Sequence, residues 1–301
     1  MKRQKITKWI FLLAMVLMVS VLGKTEIARA NEQDSKNYHL IPCDDGQSGT
    51  YWIGDYLYWI DARQKKISRY SDLEMTKEEV LVTAEKGTYI GQSGLVFENL
   101  VYYIIIDSKT KVGNLYSYDL KSKQSICIGN VGELQALNDI SDEKIYGYGY
   151  TKADKPEVIT YDLKSKKLKR ICKNGYFGEF VGKYIVINTN SKTGNNGISL
   201  YRKSDGKKVK SISNNCYCYE VVDNMIYFVE PIAEFKYRIK SYNIIKKKII
   251  TYGNIKANDF GEINKKYLYY AYGEPVQEGK YYKYSFAKKK SIRISEEEYG
   301  Y

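Results

Sequence analysis

Hydrophobic residues in this chain come in short bursts separated by polar turns, and the bursts recur at a near-constant interval. Leu57-Tyr58-Trp59-Ile60-Asp61 is the type. It is aromatic, β-branched and too short for a helix, so it predicts a strand. Related bursts begin at Val101, Ile145, Ile185, Ile226 and Leu268, at successive intervals of 44, 44, 40, 41 and 42 residues. A period of that length built only of strands predicts a propeller. The fold class expected is all-β, a six-bladed β-propeller of four-stranded antiparallel blades.

Each repeat reads as four strands, A to D. In the first these fall near Thr50–Ile53, Leu57–Asp61, Ile67–Ser71 and Glu79–Thr83. Later C strands are expected at Leu115–Leu120, Val158–Leu163, Ile198–Lys203, Ile239–Ile244 and Tyr282–Phe286. Every C strand carries a tyrosine in register: Tyr70, Tyr118, Tyr161, Tyr201, Tyr242 and Tyr284. The second position of strand B is also tyrosine, at Tyr58, Tyr102, Tyr146, Tyr227 and Tyr269, with Val186 in the fourth repeat. A ring that recurs at one position in every repeat is a packing device, since binding residues vary between repeats while core residues recur. Turns such as Gly54-Asp55, Asp162-Leu-Lys-Ser-Lys and Ser204-Asp-Gly-Lys separate the strands and have the residue types that cap tight turns.

The first thirty residues stand apart. A basic head (Lys2, Arg3, Lys5, Lys8) precedes an apolar run from Trp9 to Leu22, and Ala28-Arg29-Ala30 follows. That order predicts a secretory signal peptide over residues 1–30 with cleavage before Asn31. An uncleaved anchor is the other reading, but the run is shorter than the roughly 20 residues a span requires. The domain expected is a single propeller over residues 31–301, with blades starting near 49, 94, 133, 176, 215 and 257. Tyr38–Cys43 reads as an additional strand, expected to pair into the last blade and close the ring. After cleavage no further stretch is apolar enough to span a membrane.

Charge and cysteine change the picture modestly. The formal charge of +13 includes +5 from residues 1–30, so the mature chain is near +8. A basic secreted surface attracts polyanions in a salt-dependent way. Lysine greatly outnumbers arginine, the better fork for phosphate, which speaks against nucleic acid. Five cysteines leave at least one unpaired. Most read as small buried hydrophobes and zinc is not expected.

Leu57-Tyr58-Trp59-Ile60-Asp61 followed by Ile67-Ser68-Arg69 resembles the YWTD repeat of the LDL-receptor-related propellers. Val101-Tyr102-Tyr103 and Leu268-Tyr269-Tyr270 keep its aromatic half without the Asp. The chain is also similar to uncharacterised secreted bacterial propellers related to that module, and to the Tol-system propeller. The resemblance implies six blades and a binding or scaffolding role, and carries no functional residue onto this sequence.

Two candidate sites follow from the repeat. Six residues before the B strand, blades 3 to 6 carry Asp139, Glu179, Glu220 and Glu262. On the innermost strand these predict a partial acidic ring at the central channel, where crowded carboxylates recruit a cation such as Ca²⁺ or stay solvated. The B-to-C loops are the second, with Phe235 and Tyr237 as apolar anchors at a loop rim. With one histidine, His39, at the edge of the fold, Ser-His and His-metal chemistry have no parts. The function expected is a secreted, non-catalytic, monomeric binding or scaffold propeller at the cell surface, for a protein or a cell-wall polyanion. The competitor is a carboxylate-dependent glycan hydrolase or lyase using the same four acids.

Overall fold

Strand succeeds strand along this chain with hardly a helix between. In the computed structural model the described residues are 38–42, 51–61 and 63–299, without 64, 73, 152, 191–195 and 274–279. The predicted signal peptide, the start of the first predicted A strand at Thr50, and parts of the expected B-to-C loops at 152, 191–195 and 274–279 lie outside the described residues.

Of six sheets, five each hold four consecutive antiparallel strands in sequential order, and the sixth, that of blade 2, holds six strands. They are the blades of a six-bladed β-propeller. Blade 1 is β2 (Tyr51–Ile53), β3 (Tyr56–Asp61), β4 (Lys66–Tyr70) and β5 (Glu78–Thr83). Blade 2 is β6 (Thr88–Ile90) and β7 (Ser93–Phe97), both paired to β8 (Leu100–Asp107), then β9 (Gly113–Asp119) and β10 (Gln124–Gly132). Blade 3 is β11 (Leu134–Ser141), β12 (Lys144–Tyr150), β13 (Pro156–Asp162) and β14 (Leu168–Lys173). Blade 4 is β15 (Gly175–Val181), β16 (Tyr184–Asn190), β17 (Asn196–Arg202) and β18 (Lys208–Cys216). Blade 5 is β19 (Cys218–Val222), β20 (Met225–Ala233), β21 (Lys236–Asn243) and β22 (Lys248–Lys256). Blade 6 is β23 (Asp259–Ile263), β24 (Tyr267–Tyr272), β25 (Lys280–Ser285) and β26 (Lys290–Ile294), followed by the one-turn helix α1 (Glu296–Tyr299).

The chain divides into two compact units. The first runs through Tyr150 and takes in Ile159–Lys169; the second is Thr151–Val158 with Arg170–Tyr301.

In the first unit, one expectation is corrected. The additional N-terminal strand β1 (Tyr38–Pro42) pairs with β7, from Tyr38 opposite Phe97 to Pro42 opposite Ser93. It does not join blade 6. The first strand of blade 2 is broken at Gly91-Gln92, and the short β7 has an open edge that β1 fills. Ile41 is fully buried there, in a cluster with Ile60, Ile67, Val96 and Val101. Burial of that side chain fixes the register, because a one-residue slip would turn it outward.

The recurring tyrosines are core. All six C-strand tyrosines are buried, as are Tyr58, Tyr102, Tyr146 and Tyr227; Tyr269 is half-buried. The C-strand hydroxyls have a further use that links neighbouring blades. A Cβ on Gly129 would lie 2.5 Å from the Tyr161 hydroxyl, and one on Gly253 would lie 2.7 Å from that of Tyr284. Tyr201 donates to Cys172 Sγ at 3.2 Å. In each case the ring reaches the last strand of the preceding blade and rests on a small residue. Cys172 is therefore a packing residue, and burial pushes its thiol above the ordinary range.

Candidate functional site

The strand order puts the A–B and C–D turns at one end of each sheet and the B–C and D–A connections at the other. A repeated bond ties the first pair together. The residue after strand C donates its N–H to the A–B turn: Leu120 to Asn99, Leu163 to Glu143, Lys203 to Lys183, Ile244 to Asn224 and Phe286 to Lys266, all at 2.9–3.1 Å.

The four carboxylates predicted on strand A do lie on first strands, in unlike surroundings. Asp139 belongs to the first unit. It sits on β11 opposite Tyr146, beside a register shift, and is only 2% exposed. The Tyr146 hydroxyl is pushed well above its usual range, first by burial and then by the charges of Asp142 and Asp139. Glu179, Glu220 and Glu262 belong to the second unit. Glu179 is half-buried on β15 opposite Val186; Glu220 is exposed on β19 opposite Tyr227. Glu262 is exposed and accepts the Asn264 Nδ2 amide at 3.1 Å. Tyr219 lies between Glu179 and Glu220 in its electrostatics. Its hydroxyl is raised chiefly by burial, then by Cys216 and the two glutamates. The same hydroxyl closes over Gly178, where a Cβ would approach it to 2.2 Å. Among the described residues no three His, Cys, Asp or Glu side chains gather closely enough to hold a metal ion.

The loop rim is more informative in the second unit. The segment read as a B–C loop is an extended hairpin: β20 and β21 pair as far as Ala233 opposite Lys236. Phe235 occupies the two-residue turn with φ of 52° and is 42% exposed; its carbonyl accepts the Ala257 N–H at 3.0 Å. Tyr237 is buried and serves as a floor. Its ring meets Tyr217 at 5.2 Å and Phe260 at 4.8 Å, both edge to face, and Tyr217 meets Phe260 at 5.3 Å. Edge-to-face aromatic pairs hold each other in place. Tyr217 is the outermost ring, 51% exposed. It is the junction residue between β18, ending at Cys216, and β19, starting at Cys218, and both flanking side chains are more buried than it is. The Cys216 thiol donates to the Cys218 carbonyl at 3.1 Å. Burial pushes the Cys218 thiol up to about 12 and raises Cys216 as well. Burial therefore disfavours the thiolate form of both cysteines, which flank Tyr217 in the chain.

Polar groups of the same strands face the other side of the sheet from Tyr237. Glu230 accepts Ser213 Oγ at 2.7 Å and Lys240 Nζ at 2.5 Å, and Asn215 Nδ2 reaches the Pro231 carbonyl at 3.3 Å. Tyr217 was not singled out from the sequence. Its position at a D–A junction between two cysteines was the signal available. Of the two residues expected at the loop rim, Phe235 is exposed and Tyr237 is buried against Tyr217 and Phe260.

No family model matches this chain, and no curated protein does. Solved structures do. An oligogalacturonate lyase in complex with manganese aligns at 13% identity, covering 86% of this chain and 78% of that one, with a TM-score of 0.50. TolB from Acinetobacter baumannii aligns at 14% identity over 81% of this chain, a TM-score of 0.40; this chain covers only 65% of it. An uncharacterised protein from Listeria monocytogenes EGD-e aligns at 13% identity over 83% of this chain and 82% of its own, with a TM-score of 0.49. At such identities the likeness is one of fold, and that fold is the β-propeller.

Proposed function

We propose that this chain is a secreted, non-catalytic binding or scaffold propeller that holds a cell-surface ligand at the aromatic end of its second unit. The observation that carries the reading is the exposed ring of Tyr217 resting on Tyr237 and Phe260, with Phe235 at the adjoining hairpin tip. Large rigid rings that stay half in water supply contact area at low entropic cost. The YWTD-like strands of blade 1 support a kinship with receptor-type propellers that bind. The signal-like N-terminal segment supports an extracellular location.

Co-sedimentation of residues 31–301 with purified cell walls tests the reading. Retention that persists in high salt and drops about tenfold or more in a Tyr217→Ala, Phe235→Ala variant is the expected result. Retention that the variant leaves intact would remove the aromatic end from the account. The competing glycan-active enzyme is tested on the same protein. Turnover of a wall glycan that disappears in Glu179→Gln, Glu220→Gln would replace the binding reading with catalysis.

A further inference from the structure

The other end of the second unit carries a different surface. Residues 170–301 hold 24 Lys and Arg against 13 Asp and Glu, whereas residues 31–169 hold 18 against 21. The basic residues concentrate in the A–B and C–D turns. Lys246, Lys247 and Lys248 make the β21–β22 turn, and Lys288, Lys289 and Lys290 the β25–β26 turn; all six are exposed. Few acids oppose them. Asp223 pairs with Lys265 at 2.6 Å and Asp205 with Arg202 at 2.7 Å.

Turn chemistry does not require this polarity. In blades 2 and 3 the same turns are capped by carboxylates. Asp119 accepts the backbone N–H groups of Lys121 and Ser122, and Asp162 accepts that of Ser165. In blades 5 and 6 the caps are neutral: Asn243 Oδ1 accepts the Lys246 N–H at 2.7 Å and Ser285 Oγ the Lys288 N–H at 3.2 Å. The cap is kept and its negative charge is removed where lysine is tripled. The left-handed position of this turn is a lysine in four blades, Lys123, Lys166, Lys247 and Lys289, at φ of 49–58°, so the distinction of blades 5 and 6 is the neutral cap and the lysines flanking that position. Blade 4 has Gly206 in the left-handed position of its turn, at φ of 65°.

Beside these lysines is the most exposed large hydrophobic among the described residues. Ile245 is 71% exposed. Its neighbour Ile244 is buried and tied to the A–B turn, so the core has no need of a second isoleucine. The equivalent residue is Lys121 in blade 2, Lys164 in blade 3 and Ala287 in blade 6. Ile249 and Ile250, just past the turn, are each over a third exposed.

We propose that the β21–β22 hairpin of blade 5, with the lysine turn of blade 6, docks on an anionic lipid bilayer, with Ile245 entering the interfacial layer and the lysines engaging head-group phosphates. The mixture of groups selects this occupant. An anionic polymer satisfies the lysines and leaves Ile245 in water. A bilayer takes both, because lysine stems lie along apolar surface while their ammonium heads reach the phosphates. The docking end is opposite to the aromatic end of the same sheets, so the two surfaces are separable by mutation.

The test is flotation of residues 31–301 with vesicles of phosphatidylcholine alone and of an equal mixture with phosphatidylglycerol. Binding to the mixed vesicles only, weakened by salt, is expected. Ile245→Ser should weaken it about five- to tenfold, and Lys246→Gln, Lys247→Gln, Lys248→Gln about 100-fold. Tyr217→Ala should leave it unchanged, which separates this surface from the wall-binding one. Absence of binding to the mixed vesicles, or equal binding to neutral vesicles, overturns the proposal. So does capture on immobilised polyphosphate that matches vesicle binding and ignores Ile245→Ser, which would make the rim a polyanion site. Unchanged thermal unfolding of each variant excludes misfolding, since these side chains are exposed.

Discussion

The two units are built from one repeat and diverge at their ends. The first unit starts with β1, which fills the open edge of β7 and buries Ile41. The second unit ends with α1, which packs back on blade 6. There Tyr299 covers Gly261, where a Cβ would lie 3.3 Å from its ring, and Lys283 pairs with Glu298. Tyr299 does for blade 6 what Tyr219 does for Gly178 of blade 4. The units differ as much in charge. Acids of the first unit are drawn into structure: Glu78 and Glu79 bind Lys66 and Arg69 across β4 and β5. In the second, lysines are released into turns. The difference teaches that the repeat constrains strand faces, where side chains interlock, and leaves terminal edges and turn tips free to specialise.

The largest effect expected concerns the terminal strand. Ile41→Ala should lower unfolding free energy by about 2–5 kcal/mol in urea titration, as for other buried isoleucines. A change near zero would mean that β1 does not hold the first unit together. A smaller effect compares the tyrosine staples of the two units. Gly129→Ala and Gly253→Ala should each cost about 1–3 kcal/mol by overpacking against a hydroxyl. In a Tyr284→Phe background most of the Gly253→Ala penalty should disappear, and in a Tyr161→Phe background only part of the Gly129→Ala penalty should, because Gly129 at φ of 158° is strained by any Cβ. Strict additivity in these double-mutant cycles would remove the staple from both units.

The smallest effect is on pH. Glu78 is held below the ordinary carboxylate range chiefly by Lys66, then by Ser68 and Tyr70; Glu79 is lowered by Lys123 and Arg69. A carboxyl depressed in the folded state stabilises above its unfolded pKa and loses that contribution as pH falls through the folded value. Stability should therefore drop between about pH 5 and pH 3, by about 0.5–1 kcal/mol for this partly exposed network. Glu78→Gln should flatten that slope. An unchanged slope would place the acid sensitivity elsewhere.

The blades were legible because apolar and aromatic residues alternate with a fixed period and the turns announce themselves. Predicted C strands such as Leu115–Leu120 and Val158–Leu163 lie within two residues of β9 and β13. The register tyrosines were legible for the same reason. The partner of β1 was not, because any open strand edge satisfies a fifth strand equally until Ile41 is given a pocket. Nor was Tyr217, a single aromatic at a junction, whose exposure depends on Tyr237 and Phe260 arriving from two other strands. Asp139, Glu179, Glu220 and Glu262 were aligned correctly on first strands, yet equal register did not give equal environment.

By itself, then, the sequence determined the number of blades, the four-strand meander and the tyrosine core, since local periodicity and turn chemistry specify them residue by residue. Only the tertiary structure decided which edge the N-terminal strand fills, which aromatic rings stay in water, and that lysine turns from separate blades share one end of the second unit. Those outcomes depend on which strands and turns are brought side by side, and a linear pattern does not contain those distances.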